Sequence, residues 1–243
     1  MLQYYKLQTA SCCNENNARR LYTHRVFSLG NKSMRAITKI LSSYLVVIVV
    51  LSDFGGILGQ NIAWAETSAP PKSLVDDQAI KTIRDWLKNA VVEISVTSQN
   101  KKYKAIAQSE VDSLDKQWRA ERDKEDQPLI AAILSSPLSN YLTQIQAASG
   151  GLFTEIFIMD AKGLNVGQSA ITSDFWQGDE AKFKKTFPNG SSAIFVDDPE
   201  FHEGTNTWRA QVNLTVSNTS NQPIGAVTVE YNLTELARRR AEN

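Results

Sequence analysis

The stretch that decides the fold is Asp160-Ala-Lys-Gly-Leu-Asn-Val-Gly-Gln-Ser169, followed closely by Asp174-Phe-Trp-Gln-Gly-Asp-Glu-Ala-Lys-Phe183. A β-rich run over residues 155–160 leads into it. Asp160 and Gly163 occupy the first and fourth positions that a type I turn favours. The pattern therefore predicts a strand, a tight turn and a returning strand over residues 164–169. We expect a short helix through residues 180–183, with Asp174 in the segment that caps its start.

The chain before this hairpin has a helical pattern. Apolar residues recur at spacings of three and four, as one buried helical stripe requires: Ile80, Ile83, Leu87, Val91 and Ile94. The stripe weakens over residues 95–102 and then continues to Trp118. The pattern of residues 74–124 therefore predicts either one long helix or two helices joined near Gln99. Residues 129–147 predict a second helical element, which Pro137 is expected to kink or split.

The chain after the hairpin predicts an antiparallel sheet. Further strands are expected over residues 191–196, 207–216 and 224–231, with a hairpin loop at 217–223 and a short basic helix at 232–240. The fold class is therefore α+β. We expect a long N-terminal helix and a second helix packed on a five-stranded antiparallel sheet.

Residues 34–65 have the layout of a secretory signal peptide. A basic segment precedes an apolar run over residues 40–51, and Ala63-Trp-Ala65 fits the small-x-small cleavage pattern. Asp53 and nearby glycines interrupt the apolar run before it reaches the length of a membrane span. We expect cleavage near Ala65 and a periplasmic or secreted protein. The alternative is an uncleaved segment that anchors the chain by its N-terminus.

Charge and cysteine content limit the remaining possibilities. The chain has 26 basic and 26 acidic residues, but residues 1–65 hold seven of the basic and only two of the acidic ones. The rest is mildly acidic, which does not favour nucleic-acid binding. We interpret residues 1–33, which contain Cys12 and Cys13, as a mis-assigned or disordered extension. Residues 66–73 are expected to be a flexible lead-in and residues 74–240 one domain without disulfides.

Three segments in this order resemble the extracytoplasmic PAS-like sensor modules called single Cache domains: residues 157–166, 173–183 and 222–231. The resemblance implies a PAS-like sheet and a ligand pocket on one sheet face, covered by the segment after the second strand. Members of this family usually lie between two membrane helices and signal to a kinase, cyclase or chemotaxis module. Only about a dozen mostly polar residues follow Tyr231, so we expect a freestanding, secreted form.

The resemblance implies five candidates for ligand contact: Asp174, Trp176, Asp179, Arg209 and Tyr231. Trp176 either stacks on a ligand or fills the core, and Asp174 either binds an amine or caps a helix. Asp179 suits the first turn of a helix, where an acid complements the dipole. Arg209 either holds a carboxylate through a bidentate fork or pairs with a nearby acid. Tyr231 belongs either to the pocket or to the core.

The motifs of common catalytic sites are absent from the sequence after residue 65. His202 is the single histidine there, no cysteine remains, and neither a G-x-S-x-G elbow nor an H-E-x-x-H motif occurs. The acids near His202 match no standard metal-ligand spacing. We therefore expect no enzyme activity, no metal and no cofactor.

The function expected from these observations is small-molecule sensing through a partner protein in signal transduction. The expected ligand is an amino acid or a small carboxylate, and the expected partner is a membrane sensor kinase or receptor. The alternative is a structural or dimerisation module that binds no ligand and docks on a membrane signalling protein. In this alternative the N-terminal helix either pairs two copies of the chain as a homodimer or docks on a membrane kinase.

Overall fold

The computed structural model describes residues 68–242. The predicted extension, the signal peptide and its cleavage site near Ala65 lie outside these residues. Within the described range, no helix is both long enough and apolar enough to cross a membrane.

The described part of the chain has a helical first half and a mostly β second half. Its helices are α1 (Asp77–Leu87), α2 (Ala90–Lys102), α3 (Gln108–Glu121), α4 (Pro128–Leu134), α5 (Pro137–Ala148), α6 (Ala181–Lys184) and α7 (Leu233–Ala241). Its strands are β1 (Phe153–Asp160), β2 (Asn165–Gln168), β3 (Ile194–Val196), β4 (Glu200–His202), β5 (Thr207–Ser217) and β6 (Pro223–Asn232). This arrangement confirms the predicted α+β class.

The predicted long N-terminal helix is divided into three helices, α1 to α3. Asn89 ends the first segment, because its side chain accepts a hydrogen bond from the backbone N–H of Val91 and so caps α2. The next break is at Ala107, whose backbone N–H is held by the Glu110 side chain at 3.0 Å. Helices α1 and α2 pack on the same core, but the predicted stripe is only partly correct: α2 buries Val92 and Val96, whereas Ile94 is 67% exposed. Pro137 splits the second element as expected, and α5 begins at that residue.

The sheet is antiparallel throughout, in the order β2-β1-β6-β5-β3, and β4 also pairs with β5. Since β3 and β4 pair with successive parts of β5, they together form one edge of the sheet. Counting them as one edge strand gives the order 2-1-5-4-3, which is the PAS-like topology. The sequence analysis missed β4, a three-residue strand with exposed side chains.

The hairpin of residues 160–169 forms as predicted. The backbone N–H of Gly163 donates to the carbonyl of Asp160 at 3.0 Å, and Gly163 has φ +80°. Asp160 also accepts hydrogen bonds through Oδ1 from the backbone N–H groups of Lys162 and Leu164. A side chain at Gly163 would lie 2.5 Å from the backbone of Gly178, so the turn and the segment after β2 touch without space between them.

The two faces of the sheet are covered differently. Helices α1, α2, α5 and α7 pack on the inner face and bury its aliphatic side chains. The outer face carries a small apolar cluster in which Phe157 and Met159 meet Phe183 of α6. A separate core, centred on Trp118 and Phe175, joins α3 and α4 to the segment after β2. The outer face therefore has one apolar half, and its other half is lined by polar residues.

Candidate functional site

A cavity of about 260 Å³ lies between α6 and the polar half of the outer sheet face. Its position follows from strand alternation, because every second residue of β5 and β6 points away from the helical core. Its walls come from the start of α6, from β5 and β6, and from the segment that carries β4. The lining residues are Glu180, Ala181, Lys182, Asp197, Asp198, Glu200, Arg209, Ala210, Gln211 and Glu230.

The charged side chains of this cavity are already arranged in pairs. Arg209 Nη1 donates to Glu230 Oε1 at 2.8 Å, and each side chain is only 19% exposed. Thr154 Oγ1 contacts the same oxygen of Glu230, and Arg209 Nη2 donates to Thr205 Oγ1 at 3.0 Å. Lys182 Nζ lies 2.9 Å from Glu180 Oε2. Both cations are thus neutralised by lining carboxylates. Of the three further lining acids, Asp198 is paired with Lys72 at 2.6 Å, and Asp197 and Glu200 give the cavity an excess of negative charge.

Glu155 lies on the same face beside this cavity. In the register of β1 and β6 it is directly opposite Glu230, and Gln211 of β5 is opposite Glu230 on the other side. Burial raises the pKa of the Glu155 carboxyl to about 7, and the charge of Glu230 acts in the same direction. Lys182 and Arg209 oppose this rise without cancelling it. The polar half of the sheet therefore contains a carboxyl that titrates near neutral pH.

The segment after β2 is held in place by Asp115 of α3. Oδ1 of this buried side chain accepts hydrogen bonds from the backbone N–H groups of Phe175 at 2.9 Å and Trp176 at 3.0 Å. Its other oxygen accepts from Arg119 Nε at 2.9 Å. Trp118, one turn further along, donates from Nε1 to the carbonyl of Thr172 and stacks on Phe175. Helix α3 thus positions the chain that leads into α6.

Two of the predicted ligand contacts, Asp174 and Trp176, lie in this anchored segment and outside the cavity lining. Asp174 forms an ion pair with Arg119 at 3.2 Å. The indole N–H of Trp176 donates to the carbonyl of Lys162 at 2.8 Å, and its ring packs against the core around Trp118. The prediction that Asp174 caps the following helix is wrong, because α6 begins at Ala181 with Glu180 in the cap position.

The other three predicted residues lie in three different environments. Arg209 lines the cavity and is the one candidate of the five that does. Asp179 is exposed, immediately before Glu180, and its charge helps to raise the pKa of Arg119 after the larger effect of Asp115. Tyr231 is 1% exposed in the inner core, where its ring meets Phe153 edge-on, so it corresponds to the core alternative. Among the described residues, the structure does not bring these five side chains to one place.

Sequence reasoning missed Lys182 and Glu230, which line the cavity, and Glu155, which lies opposite Glu230 on the same sheet face. Glu155 and Glu230 are the only glutamates of two mainly apolar strands, β1 and β6, and a charged residue in such a strand was the available signal. Their facing positions depend on strand register, which a single sequence does not reveal. Residues 68–242 contain no cluster of three or more potential metal-ligating side chains.

Solved structures similar to the chain include three bacterial sensory domains. The ligand-binding domain of the Pseudomonas aeruginosa amino acid chemoreceptor PctC, in complex with GABA, is 16% identical, with a TM-score of 0.30 over 65% of this chain and 62% of that one. The ligand-binding domain of the Campylobacter jejuni chemoreceptor Tlp3, in complex with 4-methylisoleucine, is 13% identical, with a TM-score of 0.31 over 63% and 61%. The V. cholerae histidine kinase DctB sensor domain is 13% identical, with a TM-score of 0.31 over 66% and 59%.

The chain spans about three fifths of the length of these structures. They are sensory domains of chemoreceptors and of a histidine kinase, the class of protein that the sequence motifs resemble. No protein-family model and no curated protein matches the chain.

Proposed function

We propose that residues 74–240 form a Cache-like sensor domain that binds a small polar molecule in the cavity between α6 and the outer sheet face. The observation that carries this proposal is the cavity itself, which lies beside the start of α6 and collects charged side chains from four separate parts of the chain. Ligand pockets are concave and use a few placed polar groups to orient the ligand. A volume of about 260 Å³ suits a molecule of amino-acid size.

The charges of the cavity favour a ligand with an amino group. Arg209 and Lys182 each form an ion pair with a carboxylate, whereas Glu200 forms no ion pair with any of the described residues. An ammonium group entering the cavity would gain from this excess negative charge. A small carboxylate would first have to displace Glu230 from Arg209. We therefore place amino acids and other amines before simple carboxylates as ligands.

A thermal-shift screen of the purified chain with amino acids, amines, organic acids and nucleobases tests this function. A ligand present at about 100 times its Kd stabilises a protein by about 2.7 kcal/mol. For a domain of this size that corresponds to a rise in Tm of about 5–10 °C. Glu230→Gln should reduce the rise, and Glu125→Gln, at an exposed glutamate far from the cavity in sequence, should leave it unchanged. No rise with any class of compound would count against ligand binding.

We further propose that the domain acts from outside the cytoplasm through a partner protein, a membrane receptor or sensor kinase. The signal-peptide pattern of residues 34–65 supports this location. Mass spectrometry of the mature protein distinguishes release from anchoring. A chain that begins at Glu66 supports release, and an intact Met34 supports an N-terminal anchor.

Pairing of two copies through the N-terminal helices belongs to the same proposal. The supporting observation is Ile94 on α2, a large apolar side chain that is 67% exposed. Size-exclusion chromatography with light scattering measures the oligomeric state directly. A dimer that Ile94→Ser converts to a monomer supports this arrangement, and a wild-type monomer at all concentrations contradicts it.

A further inference from the structure

Glu155 is a partly buried carboxyl without a partner of its own. Among residues 68–242, no hydrogen bond and no ion pair is formed by its side chain. A charged carboxylate that leaves water without such compensation is strongly disfavoured relative to its neutral form. Glu155 is therefore unlike the other acids of the outer face, Glu180 and Glu230, which are both paired with cations.

Strand register brings Glu155 and Glu230 together. The two residues are directly opposite each other in the β1–β6 pairing. Directly opposite residues of an antiparallel pair have Cβ atoms about 4.5–5.5 Å apart, and two like charges there destabilise each other. Arg209 Nη1 donates to Oε1 of Glu230 and Thr154 contacts the same oxygen, whereas the Glu155 carboxyl has no such partner among the described residues. The cost of a second negative charge therefore falls on Glu155.

No other charged group facing Glu155 removes this cost. Lys182 of α6 and Arg209 of β5 are the cations that act on it. Lys182 is held at 2.9 Å by Glu180, and Arg209 at 2.8 Å by Glu230. Each cation is thus already paired with another carboxylate, and this pairing weakens its attraction for the Glu155 carboxylate.

We infer that Glu155 and Glu230 form a proton-holding carboxylate pair, which carries one negative charge in mildly acidic solution and two in mildly basic solution. Because Glu230 lines the cavity, the charge of the pair sets the affinity of the cavity for ammonium cations. A cation that enters beside the pair favours its second ionisation, and the proton of Glu155 goes to solvent. The domain would then report pH together with its ligand. This last step rests on the ligand binding proposed above, whereas the pair itself does not.

The pair is tested first without any ligand. The chain is labelled with ¹³C at the glutamate side-chain carboxyl, and the carboxyl signals are followed from pH 4 to pH 9. Glu155→Gln identifies the Glu155 signal by its loss, and Glu125→Gln serves as the matched control at an exposed position. We expect a midpoint near pH 7 for the Glu155 signal. A Glu155 midpoint below pH 5.5 would overturn the inference, whatever the cavity binds.

The link to the cavity is tested with methylammonium as the probe cation and sodium chloride as the ionic-strength control. If only the doubly charged pair binds methylammonium, the ionised fraction of Glu155 sets the apparent Kd. For a midpoint of 7 the Kd is then about tenfold lower at pH 8 than at pH 6. Glu155→Gln, whose pair cannot carry a second charge, should bind methylammonium weakly at both pH values. Equal Kd values at both pH values would overturn the coupling. A Glu155 midpoint near 7 with no methylammonium binding would instead support the pair and count against the ligand-binding function.

Discussion

Removal of the Asp115 carboxylate should release the segment that leads into the cavity. This side chain is 9% exposed and accepts hydrogen bonds from two consecutive backbone N–H groups, those of Phe175 and Trp176. Asp115→Ala leaves the N–H of buried Phe175 without its partner and frees the chain from α3. None of the side chains of the inner core belongs to α3, so we expect the rest of the sheet to remain folded.

The magnitude follows from these two contacts. A hydrogen bond to a charged group contributes about 1.5–3 kcal/mol, and a buried donor left unpaired has a comparable cost. For Asp115→Ala we expect a loss of about 3–5 kcal/mol in the free energy of unfolding, which lowers Tm by about 10 °C in a domain of this size. Asp115→Asn retains one oxygen that can accept from the two amides, and should lose about 1–2 kcal/mol.

Urea unfolding followed by tryptophan fluorescence measures these losses, with Asp112→Ala as the matched control. Asp112 lies one turn earlier on α3, is exposed, and contacts only Gln108 of its own helix. Its replacement should change the free energy of unfolding by less than about 0.5 kcal/mol. If Asp115→Ala costs no more than Asp112→Ala, the two backbone contacts do not hold this segment and the reasoning is refuted.

Three further predictions concern the same face of the molecule. The pKa of Glu155 is about 7 in the folded protein and about 4.5 in the unfolded chain. The protonated carboxyl therefore makes its full contribution to stability below about pH 4.5, and this contribution is lost as pH rises through about 7. Between pH 5 and pH 8 the free energy of unfolding of the wild type should therefore fall by up to about 3 kcal/mol more than that of Glu155→Gln. Urea unfolding at a series of pH values measures this difference. Gly178→Ala places a methyl group in steric overlap with Trp176 Nε1. We expect the free energy of unfolding to fall by about 1–3 kcal/mol and the tryptophan emission to shift to the red. Unchanged emission would contradict this packing. Trp118→Phe removes the hydrogen bond to the carbonyl of Thr172 and part of a fully buried ring. Thermal unfolding should show a loss of about 2 kcal/mol in the free energy of unfolding. An unchanged stability would mean that this core is loosely packed.

Local sequence signals predicted the elements whose causes are local. The Asp160 turn forms because an aspartate side chain can hold the N–H groups of the next residues and a glycine tolerates φ +80°. Helix α7 begins after Asn232, whose side chain accepts from the backbone N–H of Glu235 as an N-cap does. The single long N-terminal helix was not found, because Asn89 stops α1 and starts α2, and a cap outweighs a continuous apolar stripe at that point.

Most of the candidate site depends on contacts between distant parts of the chain. Arg209 was predicted and does line the cavity, whereas Trp176 and Asp174 are held by α3 at the edge of a separate core. The position of Asp115 opposite the backbone of residues 175 and 176 has no counterpart in sequence spacing. The spacing of two residues along the chain therefore did not indicate which of them share a cavity.

The sequence by itself determined the α+β class, the order of strands along the chain and the turn at Asp160–Gly163, since propensities, apolar periodicity and turn chemistry act between near neighbours. Only the tertiary structure decided which charges meet. Glu155 and Glu230 lie far apart in sequence and become neighbours through the register of β1 and β6. Their electrostatic coupling and burial exist only after the sheet has formed and α6 has covered it, because both effects depend on separation in space and on exclusion of water.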